Sequence, residues 1–516
     1  MPSTRSRRRP AAAPASAPAA PPSGALAPPI AALTVFLASG AVLMLEILAV
    51  RLLAPYVGLT LETTTSIIGA VLAGIALGAW VGGSVADRTE PRRLAVGLLI
   101  VGGLLALLTV PIVRWLGPGA RGHGNLAALG VTLASLVPSA AVLSAISPTI
   151  ARIQLRDLGA SGATVGHLSA YATAGALVGT FGTGFVLVPL VPVSTAVLII
   201  GVSLGVYGLL LGGYLRALGP PVMAAALVAL VGLGTLSATR DSPCDADTTY
   251  HCASIVLDAQ DPDGRELMLD GVSNSFVDLK DKTQLEFPYT AWIARAIDDV
   301  KAPPAALDAV FVGGGAFTLP QLLVATRPGS HVRVLEVDGK LVDLDREKLG
   351  LRTSEALKAV VGDARVSMRD VPSHSADVVV GDAFSGYTVP WQLLTREYND
   401  EVRRVLKPGG LYIINLIDLE RMHLARAVVA TLRRQFRDVQ MAAVPDAAGD
   451  VSGESGNLEI LSSDAPRTWR GFDPDENGAA VFDRDAMARF SKGGKLLRDD
   501  YAPVDQLLTI KPPPSS

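Results

Sequence analysis

Apolar and polar positions divide the chain into two parts with different patterns. Between residues 30 and 238, apolar residues form successive stretches of about 20, the length that crosses a hydrocarbon core about 30 Å thick. Short loops separate these stretches and hold most of the charged residues of this part. The pattern predicts a membrane domain of about seven transmembrane helices, at 30–53, 66–86, 94–113, 126–150, 168–191, 193–211 and 221–238.

Glycine recurs inside the predicted spans, as at Gly74, Gly78 and Gly82 in the second and at Gly175 and Gly179 in the fifth. Small residues let helices approach closely where lipid gives no hydrophobic drive for association. We interpret these glycines as tight helix packing, with a substrate pathway through the bundle as the alternative.

Two ionisable residues interrupt the first predicted span. Glu46 lies inside the apolar run and Arg51 follows about one and a half turns later. Intramembrane charges are costly and are paired or functional. One interpretation has Arg51 extending to the membrane interface while Glu46 pairs with it or stays protonated; the other gives the two residues a role in guiding a cationic substrate.

Lys and Arg residues in the short loops set the predicted orientation. The Ala-, Pro- and Ser-rich segment 1–29 carries four arginines, and we expect it to be a disordered cytoplasmic tail rather than a cleaved signal peptide. Seven spans then place residues 239–516 on the extracytoplasmic face of the cell membrane. Cys244 and Cys252 follow the last span, and they are either a disulfide suited to an oxidising compartment or two free thiols.

The second part begins with a small β-rich piece and continues as an alternation of strands and helices. Strands are predicted at 253–258 and 266–269, a linker follows Gly271, and a helix is predicted over 287–300. From residue 307 a strand, a glycine turn and a helix repeat. The later strands are apolar on both faces, as a parallel sheet covered on two sides requires, and they lie at 307–312, 332–337, 359–361, 376–380 and 410–416.

The predicted fold class is therefore a multi-pass α-helical membrane domain followed by an α/β Rossmann-like (class I methyltransferase-type) domain with a short N-terminal β piece. The predicted segments are the tail at 1–29, the transmembrane domain at 30–238, a linker with the β piece at 239–300, the Rossmann domain at 301–465 and a C-terminal extension at 466–516.

Candidate binding residues lie at the carboxyl ends of the predicted parallel strands, where ligands bind in such sheets. Gly313, Gly314 and Gly315 follow the first strand and let a ligand approach the backbone at a helix N-terminus. Glu336 ends the second strand, 22 residues after Gly314, where an acid accepts hydrogen bonds from two ribose hydroxyls. The third glycine of a dinucleotide fingerprint is absent, so a nucleoside without phosphates fits better.

Two further acids follow the next strands. Asp363 ends the third strand, where a carboxylate can reach an adenine amino group, and Asp382 ends the fourth. The spacing thus predicts one pocket with three acids, Glu336, Asp363 and Asp382.

The second part resembles spermidine synthases, the aminopropyltransferases, and the whole chain resembles bacterial proteins that fuse such a domain to a major-facilitator-like membrane half. The resemblance covers about residues 250–465. It rests on Leu269-Asp270-Gly271-Val272, Glu286-Phe287 with Tyr289, the triplet at Gly313, Leu335-Glu336-Val337-Asp338, Gly362-Asp363-Ala364, Asp382, and Tyr398 before Leu406-Lys407-Pro408-Gly409-Gly410.

The resemblance implies roles for these residues. Asp382 would be the catalytic base that takes a proton from an attacking amine, while Glu336 would hold the ribose and Asp363 the adenine. The implied cofactor-binding set is completed by Gly313, Gly314, Gly315, Asp338 and Ala364. The implied substrate contacts are Glu286, Tyr289 and Tyr398.

Departures from the family pattern fall on the acceptor side. The family has acids at three positions held here by Leu285, Ala316 and Ser385, and a histidine where Arg295 stands. A diamine needs carboxylates to offset its lost hydration, so we expect putrescine to be a poor acceptor.

Three functions from different classes remain open. The first is transfer of an aminopropyl group from decarboxylated S-adenosylmethionine to an amine acceptor in polyamine biosynthesis, the second is methyl transfer from S-adenosylmethionine, and the third is non-catalytic binding or transport of a nucleoside or polyamine. The expected partners are the lipid bilayer, a small-molecule amine and a second copy of the chain. The net charge of −3 does not favour nucleic acid, and scattered His residues favour no metal site.

Overall fold

The computed structural model describes residues 26–508 apart from 58–60, 121–123, 156–160, 240, 241, 243, 385, 387, 419, 420, 447 and 452–455. Most of the predicted tail, residues 1–25, lies outside this range, so the expectation of disorder there stays a prediction. The described chain consists of a helical half, residues 26–239, and an α/β half, residues 242–508.

The helical half contains ten α-helices, counted over its described residues. They are α1 Pro28–Val57, α2 Leu61–Ala86, α3 Pro91–Leu116, α4 Gly124–Ser135, α5 Val137–Ser144, α6 Ile146–Gln154, α7 Ser161–Gly182, α8 Val188–Leu190, α9 Val193–Leu215 and α10 Pro220–Thr239. A 3-10 turn at Gly117–Ala120 extends α3, and a π-helical segment at Thr183–Leu187 joins α7 to α8.

Six of the resulting helical stretches are long and apolar enough to cross a membrane. A seventh is added if the bent pair Leu126–Ser135 and Val137–Gln154, which turns by 47°, counts as one span. Six of the seven predicted spans therefore correspond to continuous helices, and the fourth corresponds to the bent pair.

One end of the bundle brings together the start of α1 and the ends of α2 and α6. The Gln154 side-chain amide donates to the Leu26 carbonyl at 2.9 Å, and Arg152 pairs with Asp87 at 3.2 Å. The chain therefore returns to its starting end when α6 finishes.

The opposite end brings together the end of α1, the end of α3 and the start of α9. Gly117 lies against the Tyr56 ring, and the backbone N–H of Val193 donates to Asp247 in the segment that follows α10. Since α3 ends at this side and α6 ends at the other, the bent pair carries the chain across the bundle. The α/β half is thus attached at the end opposite to Leu26.

Glycines allow the closest helix contacts in the bundle. A Cβ built on Gly175 of α7 would lie 2.1 Å from the Phe36 carbonyl oxygen of α1, and one built on Gly179 would lie 2.5 Å from the Gly40 carbonyl oxygen. No side chain fits at such distances, which agrees with our interpretation of these glycines as packing residues.

A four-stranded antiparallel sheet opens the α/β half. Its order is β1 Ala246–Asp247, β2 Cys252–Leu257, β3 Gly264–Leu269 and β4 Val272–Asp278. Strand β4 corrects the prediction of a linker after Gly271, because the Asp270–Gly271 turn, with both residues at positive φ, reverses the chain onto β3. Cys244 and Cys252 form a disulfide that encloses β1, so the open alternative of two free thiols is wrong.

An eight-stranded mixed sheet forms the centre of the α/β half. Its strands are β5 Asp308–Val312, β6 His331–Glu336, β7 Leu357–Val361, β8 Ala376–Gly381, β9 Leu406–Ile417, β10 Asp438–Ala443, β11 Asn457–Ser463 and β12 Ala480–Phe482. The spatial order is β12-β10-β11-β9-β8-β5-β6-β7, with β5 to β9 parallel and β10 to β12 in antiparallel pairings.

Helices cover both faces of this sheet. They are α11 Pro288–Val300, α12 Thr318–Thr326, α13 Gly339–Lys348, α14 Ala364–Ser367, α15 Arg396–Val405, α16 His423–Leu432, α17 Pro474–Asn477, α18 Arg484–Phe490 and α19 Val504–Leu507. Two hydrophobic clusters fill the layers between helices and sheet, one on each face. The predicted fold class, a helical membrane-type half followed by an α/β half with an N-terminal β piece, is confirmed.

Candidate active site

A cavity of about 920 Å³ lies at the carboxyl ends of the parallel strands. It opens where the strand order reverses between β5 and β8, the position that open α/β sheets use for ligands. Its size is near the upper end of the usual range for small-molecule sites, about 300–1,000 Å³. The described lining contains the carboxyls of Glu336, Asp363 and Asp382 together with His251, but no Lys or Arg, so its charge favours a cationic ligand.

The glycine turn after β5 forms one wall of the cavity. Gly313 and Gly315 have positive φ values of 96° and 49°, which side chains rarely adopt. A Cβ on Gly313 would lie 2.5 Å from the Asp382 carbonyl oxygen, and one on Gly315 would lie 2.4 Å from Ser275 Oγ. The triplet therefore brings strand β4 and the loop after β8 against the same wall.

Glu336, the last residue of β6, is 6% exposed and lies at the base of this wall. Its Oε2 accepts from the Gly314 N–H at 2.7 Å, and its Oε1 accepts from the Asp338 N–H at 2.9 Å. Burial raises the pKa of the Glu336 carboxyl above its ordinary value, although these two hydrogen bonds act in the opposite direction. Each oxygen keeps a further lone pair, which is what two ribose hydroxyls would need.

Asp338 contributes to the site from behind the cavity wall. It is fully buried, caps the N-terminus of α13 through Leu341 N–H, and accepts a hydrogen bond from the Thr248 hydroxyl. The cavity lining does not include it among the described residues. Its place is thus to orient Glu336 and the segment around Thr248.

Asp363 and Ala364 line the cavity where β7 ends. Asp363 caps α14, since its Oδ1 accepts from the Arg365 N–H at 2.8 Å. Its second oxygen accepts no hydrogen bond within the described part of the chain. That oxygen is available to an amino group on a ligand.

Asp382 follows β8 and lines the cavity beside the Gly313 turn. Its Oδ1 accepts from the Asn415 side-chain amide at 2.8 Å, and Asn415 Oδ1 accepts from the Asn457 amide at 2.9 Å. Burial raises the pKa of Asp382 to about 7, against the lowering effect of the Asn415 hydrogen bond. A carboxyl with such a pKa is suited to exchange protons near neutral pH.

Glu459 is an acid near Asp382 that sequence reasoning missed. It lies on β11 directly opposite Asn415 of β9, is fully buried, and neither carboxyl oxygen has a hydrogen-bond partner among the described residues. Burial, reinforced by the Asp382 charge, raises the pKa of Glu459 well above its ordinary value. Finding it from sequence required the β9–β11 pairing, which no local signal gives.

Tyr250 and His251 form a second wall that was not predicted. His251 Nδ1 and Asp270 Oδ2 are 2.8 Å apart. Burial opposes protonation of His251, but the hydrogen bond and charge of Asp270, together with the charges of Asp338 and Glu336, outweigh it and raise the His251 pKa. Asp270 was noted only as part of a motif, and its pairing with His251 follows from the alignment of β2 with β3.

The three predicted substrate residues have different surroundings. Tyr289 lines the cavity, with its ring centroid 6.1 Å from that of Phe287. Glu286 is exposed, and Tyr398 is 1% exposed in the core beneath the sheet, so the described cavity lining includes neither. Of the substrate set, the structure brings only Tyr289 to the cavity.

Three of the four departures on the acceptor side, Leu285, Ala316 and Arg295, are also outside the described cavity lining. Leu285 packs against the apolar cluster under α11, and Ala316 is fully buried. Arg295 packs against Gly471 and is not in the described lining. Ser385 lies outside the described residues.

Comparisons with known proteins give partial matches. No protein-family model matches the chain. A polyamine aminopropyltransferase of Vibrio vulnificus is 25% identical over 189 residues, covering 36% of this chain and 59% of the relative. Polyamine aminopropyltransferase 2 of Streptomyces coelicolor is 29% identical over 353 residues, covering 61% of this chain and 60% of the relative. The chain thus spans about three fifths of the length of these two curated relatives.

A solved structure, that of a probable spermidine synthase from Corynebacterium glutamicum, is 26% identical, with a TM-score of 0.46 and coverage of 51% of this chain and 99% of that chain. By the two sequence matches, the chain is similar to polyamine aminopropyltransferases over part of its length.

Proposed function

We propose that the α/β half transfers an aminopropyl group from decarboxylated S-adenosylmethionine to an amine acceptor. The observation that carries this proposal is Asp382, a carboxyl with a pKa of about 7 at the wall of a cavity that also contains Glu336 and Asp363. The partial similarity to polyamine aminopropyltransferases supports the same reaction.

The described residues fit an adenosyl sulfonium as donor. Glu336 would accept hydrogen bonds from the ribose hydroxyls, and the unengaged oxygen of Asp363 would accept from the adenine amino group. Leu335 and Leu341 provide apolar contact beside Glu336. The excess of carboxyls over cations in the lining favours a positively charged donor.

Asp382 would act as the general base. An alkylamine in water has a pKa of about 10.4 and is protonated at pH 7, so its nitrogen lacks a free lone pair until a base removes the proton. The nitrogen then forms a bond to the carbon next to the sulfonium sulfur, the carbon–sulfur bond breaks, and 5′-methylthioadenosine leaves with the electron pair. The proton remains on Asp382, which Asn415 holds in position.

The acceptor is proposed to be an amine other than putrescine. The described lining from α11 and β4 is aromatic and amide in character, with Tyr289, Trp292 and Asn274. Glu459 is the nearby additional acid, but it is fully buried and outside the described lining. Among the described residues on this side of the cavity, a second ammonium group would therefore lose hydration without a carboxylate partner in the lining.

We also propose that the helical half spans the cell membrane with the N-terminus in the cytoplasm and the α/β half outside. Attachment of the α/β half at the bundle end opposite to Leu26, and the disulfide between Cys244 and Cys252, support this arrangement. A periplasm-type reporter fused after residue 516 should be active and a cytoplasm-type reporter silent. The reverse result would contradict the topology.

The reaction is tested with the full chain purified in detergent. Wild type and Asp382→Asn are assayed with decarboxylated and intact S-adenosylmethionine against putrescine, cadaverine and a monoamine. We expect 5′-methylthioadenosine from the decarboxylated donor, and a fall in turnover of about 10²- to 10⁴-fold in Asp382→Asn with donor affinity nearly unchanged.

Other outcomes would replace the proposal. S-adenosylhomocysteine formed from the intact donor would indicate methyl transfer. Binding of 5′-methylthioadenosine without turnover of any pair would indicate a non-catalytic binding protein. Equal turnover in wild type and Asp382→Asn would remove Asp382 as the base.

A further inference from the structure

Arg51, near the end of α1, makes a contact outside the helical half. Its Nη2 donates to the Thr248 carbonyl oxygen at 2.7 Å, in the segment between α10 and β2. No ion pair with Glu46 is present among the described residues, so the pairing that the sequence suggested between these two side chains is not observed. A half-buried guanidinium needs hydrogen-bond acceptors, and here the α/β half supplies one.

Thr248 continues the connection to the cavity wall. Its hydroxyl donates to Asp338 Oδ2 and accepts from the His251 N–H at 2.9 Å, while the Tyr250 N–H donates to the same Asp338 oxygen at 3.2 Å. The turn from Thr248 to His251 is thus fixed on one side by Arg51 and on the other by Asp338. Tyr250 and His251, which this turn carries, line the cavity.

Asp338 links the turn to the proposed ribose-binding acid. Its N–H donates to Glu336 Oε1 at 2.9 Å. Asp247, Asp270 and Asp338 also lie within electrostatic reach of Arg51, so a cation from the helical half offsets the acids behind this wall. Short, direct contacts therefore join α1 to the donor end of the cavity.

The same segment has a second attachment to the bundle. The Val193 N–H, at the start of α9, donates to Asp247 Oδ2 at 2.8 Å, and the disulfide between Cys244 and Cys252 closes the segment. An unfilled N–H at a helix start is a natural partner for a carboxylate. The wall is consequently held by two helices of the bundle as well as by the α/β half.

We propose that Arg51 is a positioning residue for the donor pocket, acting through Thr248 and Asp338, so that the helical half is a structural part of the site and donor binding is coupled to the arrangement of α1 and α9. The inference rests on the proposed adenosyl site. Coupling is reciprocal, so a change that releases Arg51 weakens donor binding, and donor binding restrains the segment 244–252.

The test uses the full chain in detergent and 5′-methylthioadenosine as the probe. Arg51→Gln and Thr248→Val should each weaken its binding about tenfold, as loss of one hydrogen bond to a charged group implies. The double variant should lose about tenfold rather than a hundredfold, because both changes break one connection. Arg51→Lys should restore part of the affinity.

The control is Arg152→Gln, which removes an arginine whose ion pair with Asp87 stays within the helical half. It should bind the probe like wild type. In turnover, Arg51→Gln should raise the KM for the donor and leave the KM for the amine unchanged, which general destabilisation would not do. Wild-type affinity in Arg51→Gln, or a hundredfold loss in the double variant, would overturn the proposal.

A ligand-free measurement separates this inference from the proposed function. Hydrogen exchange of peptides covering 246–252 should be faster in Arg51→Gln and in Thr248→Val than in wild type and Arg152→Gln. If wild type binds no 5′-methylthioadenosine, the adenosyl site is wrong, and faster exchange still supports the connection through Arg51. Unchanged exchange in both variants would overturn it.

Discussion

Replacing Glu336 with Gln tests the donor site most directly. Each carboxylate oxygen accepts one backbone N–H, from Gly314 at 2.7 Å and from Asp338 at 2.9 Å. Gln keeps one acceptor oxygen, so its NH2 group must face one of these N–H groups, donor against donor. The ligand also loses a hydrogen bond to a charged group. Such a loss costs about 1.5–3 kcal/mol, which corresponds to binding weaker by about 10- to 150-fold.

Calorimetric titration of the full chain with 5′-methylthioadenosine measures this effect. Glu347→Gln is the matched control, because Glu347 is an exposed acid on α13 of the same domain. Thermal unfolding without ligand shows how much of the cost falls on the glycine turn itself. An affinity for Glu336→Gln within twofold of the wild-type value would refute the assignment of Glu336 to the ligand.

Three further predictions concern the base, a buried acid and helix packing. The Asn415 hydrogen bond lowers the Asp382 pKa. Asn415→Leu should therefore move the acid limb of the pH profile of kcat/KM to higher pH by about one unit. An unmoved acid limb would exclude an effect of Asn415 on the Asp382 pKa. The pKa of Glu459 is raised in the fold, so its carboxyl destabilises the protein increasingly as pH rises above the ordinary value. Glu459→Gln should therefore stabilise the protein more at pH 8 than at pH 4, and an equal change in unfolding temperature at the two pH values would disprove this. Gly175→Ala should destabilise the bundle by about 1–3 kcal/mol, whereas Gly166→Ala, with open space around it, should not; similar melting in detergent would contradict the packing argument.

The candidate spans and the parallel strands could be predicted because their signals are local. A stretch of about 20 apolar residues predicts a span whatever surrounds it, and the strands that are apolar on both faces reappear within a few residues of their predicted limits. Strand β4 was missed because Ser273, Asn274 and Ser275 give it a polar sequence. Its pairing with β3, through the turn at Asp270, overrides that local preference.

Other features depend on contacts between distant parts of the chain. The wall at Tyr250 and His251 exists because the segment after α10 folds back onto Asp338 and Arg51. Glu459 comes near Asp382 only because β11 inserts between β9 and β10. Neither arrangement has a periodic or spacing signal in a single sequence.

Residues that the family resemblance points to at strand ends reach the cavity, whereas two of those before and on α11 do not. Glu336, Asp363 and Asp382 stand at or just after strand ends, where sheet pairing fixes both position and direction, and all three reach the cavity. Glu286 and Arg295 stand before and on α11, where a small helix rotation decides which side chains face the ligand, and neither reaches it. The sheet therefore fixes the positions of these three acids, while helix and loop packing sets the positions of the residues around α11. This division supports the proposal of an acceptor other than putrescine, and the assay of monoamines against diamines tests it.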